Sequence, residues 1–132
     1  ATKELNASLA ALSILTNSTD QKVLDEYLLK ALYMTGFANL NLDTVDPEQP
    51  ELVQGLYLPA FNQLIKILKD KKATGYEYTE DDISKLTDAY NQVGYYYILK
   101  EDYPKAIEYF KNTLVVNPTD ETAQQMVDAL KG

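Results

Sequence analysis

Thr87-Asp88-Ala89-Tyr90-Asn91-Gln92-Val93-Gly94-Tyr95-Tyr96-Tyr97-Ile98-Leu99-Lys100-Glu101-Asp102-Tyr103-Pro104-Lys105-Ala106-Ile107-Glu108-Tyr109-Phe110-Lys111-Asn112-Thr113-Leu114-Val115-Val116-Asn117-Pro118-Thr119-Asp120 reads as two short helices packed tightly on each other. Leu86, Tyr90, Val93, Gly94 and Tyr97 recur at spacings of three and four, which is one face of a helix. Gly94 falls in the middle of that face. A mid-helix glycine costs about 1 kcal/mol relative to alanine, so its presence needs a packing reason. The simplest reason is the close approach of a second helix. Ala106 supplies the matching small residue, and Tyr109, Phe110 and Leu114 fill the space beyond it. Helix axes at the short end of the usual separation of about 8–10 Å need such small contacts. Pro118 closes the unit.

Tyr90, Val93, Gly94, Tyr97, Ala106, Phe110 and Pro118, set within a stretch of about 34 residues, resemble a tetratricopeptide repeat at 87–120. Tyr90 stands where that family often has Trp, and Thr113 where it usually has Ala; the ring and the small volume are kept. A degenerate copy is read upstream at about 29–70. There Tyr57 lines up with Tyr103, Ala60 with Ala106, Leu64 with Phe110, Leu68 with Leu114, and Gly36 with Gly94. Gly36 to Ala60 spans 24 positions and Gly94 to Ala106 spans 12, so the upstream copy carries a 12-residue insertion.

Working outward, the periodicity is helical nearly throughout, with no alternating run flanked by hairpin turns. A first helix is expected over 3–15, carrying Leu5, Leu9, Leu12 and Leu15, followed by a turn at 16–20. A second is expected over about 21–40, with Val23, Leu24, Tyr27, Leu28, Ala31, Met34 and Phe37 as buried candidates. An acidic loop follows at 41–49. The third helix starts near Pro50 and reaches about Lys69; Pro59 implies a kink or two shorter helices. Residues 70–78 should form the longest exposed connection. Thr79 with Asp82 is an acidic variant of the capping box, opening a fourth helix to about Lys100. A fifth spans about 104–116. The sixth, about 120–130, shows one apolar stripe of Ala123, Met126, Val127 and Leu130, as a terminal capping helix needs. The resemblance therefore implies an all-α fold: a short right-handed α-solenoid of antiparallel helix pairs, about six helices in one domain over 1–132. Its parts are an N-terminal helix (1–20), a degenerate repeat with an inserted loop (21–70), the clear repeat (79–118) and a cap (119–132).

Composition removes several functional classes. The chain has no His and no Cys, and all twelve of its basic residues are Lys, against twenty acids. Ser-His-Asp or Cys-His catalysis and the usual zinc or iron–sulfur sites are therefore out of reach. No bidentate arginine fork exists for phosphate or carboxylate. A net charge of −8 repels nucleic acid and anionic lipid. No apolar run approaches the roughly 18 residues of a membrane span, and no secretory signal is read, so a soluble chain is expected without a stated compartment. The sequence begins at Ala1 rather than Met, as a processed or shortened chain would. Two acidic clusters, Asp43, Asp46, Glu48 and Glu51, then Glu77, Glu80, Asp81 and Asp82, lack the calcium-loop spacing and central glycine. No metal, cofactor or catalytic residue is expected.

The resemblance implies a protein or peptide partner, bound on a concave surface formed by the first helix of each pair. That surface would carry Tyr33, Phe37, Asp88, Asn91, Gln92, Tyr95, Ile98 and Leu99. Gly36, Ala60, Tyr90, Gly94, Tyr97, Ala106, Phe110 and Pro118 would instead pack the repeats together. Tyrosine gives large amphipathic contact area at low entropic cost, and eleven are present. The family's Lys, Asn and Arg clamp for a C-terminal carboxylate is not reproduced, so an apolar, Tyr-rich or weakly basic ligand suits the surface better. Two repeats are few for a stable groove, since about three are usual. The alternative is thus a structural or self-associating end domain of a larger repeat protein, possible as a homodimer.

Overall fold

A computed structural model describes residues 21–43 and 46–131. They form five helices, and no strand occurs among them: α1 (Gln21–Leu42), α2 (Leu58–Ala73), α3 (Glu80–Leu99), α4 (Tyr103–Val116) and α5 (Glu121–Lys131). A 3-10 turn, Pro50–Leu52, precedes α2. The helix expected at 3–15 lies outside the described residues. Each helix packs on the next in chain order.

The α3–α4 pair is antiparallel, and its register can be read residue by residue. A β-carbon on Gly94 would meet the Phe110 ring. Three residues back on α3, Asn91 accepts from Thr113, three residues forward on α4. Four residues further back, Thr87 accepts from Asn117, four further forward. One element runs down as the other runs up. Gly94 therefore faces Phe110 rather than Ala106, which lies with Phe110, Ala123 and Val127 in the core shared with α5.

A turn of three residues joins that pair. Glu101 N–H donates to Ile98 O at 2.9 Å, and Asp102 N–H donates to Tyr97 O at 2.8 Å. These are the paired bonds of a Schellman ending, and Glu101 holds the left-handed position with φ 62°. Asp102 then caps α4 by accepting from Lys105 N–H at 3.2 Å. Pro104, in the first turn, needs no N–H partner. α2 ends on the same motif with Gly75 in the left-handed position.

Several expectations are corrected upstream. Pro59 does not kink a helix: it sits in the first turn of α2, where its missing N–H costs nothing. The longest connection among the described helices is that between α1 and α2, not 70–78, because α2 continues to Ala73. Lys71 and Lys72 suit its C-terminal dipole, and Thr74 Oγ1 donates to Lys71 O. The ring against Gly36 belongs to Phe61, next to Ala60, whereas the residue aligned with Phe110 is Leu64; Phe61 and Leu64 are both fully buried. Leu29, Tyr57, Phe61, Leu64, Leu68, Leu86 and Val93 make the larger core. Thr79 and Asp82 form the capping box of α3 as expected, with both reciprocal bonds present.

Candidate functional site

Tyr33 on α1 and Asp88 on α3 are joined by a 2.6 Å hydrogen bond from the phenol to Asp88 Oδ2. They stand 55 positions apart, so this bond links α1 to α3 directly. Burial and the Asp88 hydrogen bond push the Tyr33 phenol up to about 12. The ring is held from two further sides. Phe37, one turn on, meets it edge to face at 4.9 Å between centroids, and Lys85 Nζ lies 5.7 Å from the ring centre. Lys85 is also ion-paired to Asp81. Beside Tyr33 lies a shallow depression of about 350 Å³, lined by Tyr33, Met34, Phe37, Ala38 and Asn41.

Of the eight surface residues expected from sequence, the structure brings Tyr33, Phe37 and Asp88 together. Asn91 is not on this surface. It is buried, donating to Asp120 Oδ2 at 3.1 Å and accepting from Thr113 at 2.8 Å. The cause is its place three residues before Gly94, on the stripe that faces α4. Tyr95 meets Phe110 edge to face at 5.4 Å, and Ile98 packs on the same core, so both serve the α3–α4–α5 junction. Gln92 and Leu99 are half-buried. Met34 and Val23, expected inside, are 48% and 43% exposed. Met34 thereby joins the surface although its helical spacing predicts burial; the signal for this is its position one residue beyond Tyr33, at the edge of the α1 apolar stripe.

Of the eight residues expected to pack repeats, six are buried, Tyr97 is half-buried and Pro118 is not covered. Tyr97 stacks on Tyr109 at 5.5 Å with rings 17° apart, and Tyr90 is buried beside Tyr109. Ala60 and Ala106 are buried. Pro118 is exposed in the turn before α5, which closes with Asp120 N–H on Asn117 O.

Members of both acidic clusters hold backbone or side-chain partners. Asp43 is buried, and its carboxylate accepts the backbone N–H groups of Gln54, Gly55 and Leu56 at 3.0, 2.5 and 3.0 Å. Asp82 belongs to the α3 capping box and also accepts from the Tyr76 phenol at 2.5 Å. A charged cavity of about 680 Å³ between α1 and the start of α3 is largely self-paired, with Lys71 3.8 Å from Asp25. Among the described residues, no cluster of His, Cys, Asp and Glu could hold a metal ion, and no helix is long and apolar enough to cross a membrane. No family model, characterised protein or solved structure matches the chain.

Proposed function

We propose that this chain is a non-enzymatic interaction module, a short tetratricopeptide-like solenoid that binds a peptide or partner helix across α1 and α3. The observation that carries the reading is the Tyr33–Asp88 bond beside the exposed Met34 and the Phe37 ring. A rigid aromatic floor with a fixed carboxylate suits an apolar side chain flanked by a lysine or tyrosine of the ligand. The stepwise antiparallel register of α3 and α4, and the ring-on-glycine contacts at Gly36 and Gly94, support the solenoid. The lack of His, Cys and Arg supports a binding role over a catalytic one.

The test is selection of binders from a displayed library of random peptides, followed by calorimetric titration of the tightest one. Met34→Asp and Tyr33→Phe should weaken it about tenfold, the effect of losing one well-placed contact, with unchanged helical circular dichroism. Equal affinity in both variants would overturn the site. Tyr95→Ala is not an equivalent probe, because it removes a ring from the Phe110 core.

A further inference from the structure

A groove of about 530 Å³ opens where the end of α2, the start of α3 and the end of α4 meet. Its lining is mostly apolar, with Tyr78, Ile83 and, at the mouth, Val115, which is 78% exposed. Lys69 and Lys72 stand on its rim, with Glu77 an acid on the same rim, and Lys72 Nζ lies 4.6 Å from the Tyr78 ring centre. Four of the chain's lysines, Lys66, Lys69, Lys71 and Lys72, fall in this last part of α2. Asp70 holds Lys66, and Lys71 faces Asp25. In a chain of net charge −8, this end of α2 is locally basic.

The complementary surface lies at the other end of α2. The loop ahead of that helix exposes Asp46, Glu48 and Leu52, the last to 63%. Bonds within it define its turns: Asp46 Oδ1 accepts from Glu48 N–H at 2.9 Å, Gln49 N–H donates to Asp46 O and Leu52 N–H donates to Gln49 O, each at 3.1 Å. A segment already ordered loses less entropy on docking. The body of α2 separates loop from groove by roughly 20 Å, at 1.5 Å per residue. A chain therefore cannot fill its own groove with its own loop, whereas a second copy can.

We propose that the groove receives the 46–52 loop of a second copy, with Leu52 over Tyr78 and Val115 and the acids Asp46 and Glu48 against Lys72 and Lys69. The two surfaces differ, so the contact is heterologous and repeats head to tail. It uses none of the Tyr33 surface, so either assignment stands or falls without the other.

Sedimentation velocity over a concentration series, at low and high salt, reads the outcome. The wild-type chain should associate, and added salt should weaken the association. Lys69→Glu with Lys72→Glu, and separately Asp46→Lys with Glu48→Lys, should each weaken it about tenfold, as reversed rim charges do. Each of these variants carries like charges on both surfaces, so mixing the two should restore association. Leu52→Ala should weaken it without changing the salt dependence. A wild-type monomer at every concentration overturns the proposal, and so does association that the reversals leave untouched or that mixing does not restore.

Discussion

The Phe110 ring occupies the space that a β-carbon on Gly94 would need: an ideally placed one would lie 2.8 Å from two ring atoms. The glycine lets α3 and α4 approach closely, and its helix-weakening cost is the condition of that approach. Gly94→Ala should therefore destabilise the chain, although alanine is the better helix former by about 1 kcal/mol. Overpacking costs about 1–3 kcal/mol, so the net loss reaches about 2 kcal/mol. Urea denaturation reads it, and Phe110→Leu in the Gly94→Ala background should recover part of the loss. A raised midpoint for Gly94→Ala alone would show that the ring is elsewhere.

Glu101 makes the opposite case. It holds a left-handed conformation at φ 62° with an exposed side chain, where glycine carries no steric penalty. Glu101→Gly should stabilise by about 1 kcal/mol, less the greater freedom glycine adds to the unfolded chain. Gly75→Ala, at φ 96° with open space around it, should lose stability through backbone strain alone. Opposite signs for these two substitutions in one denaturation series are the expected result.

Asn91, Thr113 and Asp120 tie three structural elements through polar atoms. Asp120 accepts from Asn91 and also from Ala123 N–H at 3.0 Å, which caps α5. Thr113 is fully buried. Thr113→Val and Asn91→Ala should each cost about 1–3 kcal/mol: the first leaves the buried Asn91 amide oxygen without its donor, and the second removes the bonds to Thr113 and Asp120. The double mutant should cost less than the two together, with a coupling of at least about 0.5 kcal/mol. Strict additivity would mean that the two residues do not bond.

Asp43→Ala removes the acceptor for three backbone N–H groups. Hydrogen bonds to a charged group contribute about 1.5–3 kcal/mol, so a loss of that order is expected. Amide exchange should quicken at Gln54, Gly55 and Leu56 before it does in the α3–α4 pair. Unchanged protection of those three amides would remove the carboxylate from its assigned place.

Burial lifts Tyr33, Tyr57 and Tyr90 to about 12, and the Asp82 hydrogen bond lifts Tyr76 to about 12. A phenol raised in the folded state stabilises it fully below the unfolded value near 10 and loses that contribution as pH climbs towards 12. The urea midpoint should hold to about pH 10 and fall between there and about pH 12. Tyr76→Phe should make the fall shallower. Ultraviolet titration should show these phenols ionising later than an ordinary tyrosine near pH 10; a single ordinary phenol transition in the folded chain would contradict the contacts that raise them.

The features legible in the residues alone are local. Helical spacing, the Thr79–Asp82 capping box, Pro104 in a first turn and the short link read at 101–103 all act within a few residues. They specify helix positions and the antiparallel return of α4 on α3. Gly94 also announced a close neighbour, because an unfavourable residue in a helix interior needs one. It could not say that the neighbour was Phe110 rather than Ala106. That choice depends on how far each helix is rotated about its axis, as do the outward turn of Met34 and the inward turn of Asn91. Residues at the edge of an apolar stripe face core or solvent after a small rotation. The rotation is set by partners distant in the chain: Tyr33 with Asp88 across 55 positions, Asn91 with Asp120 across 29 and with Thr113 across 22. Those partners come within hydrogen-bond reach in the assembled fold, which therefore sets which side chains make surface and which make core.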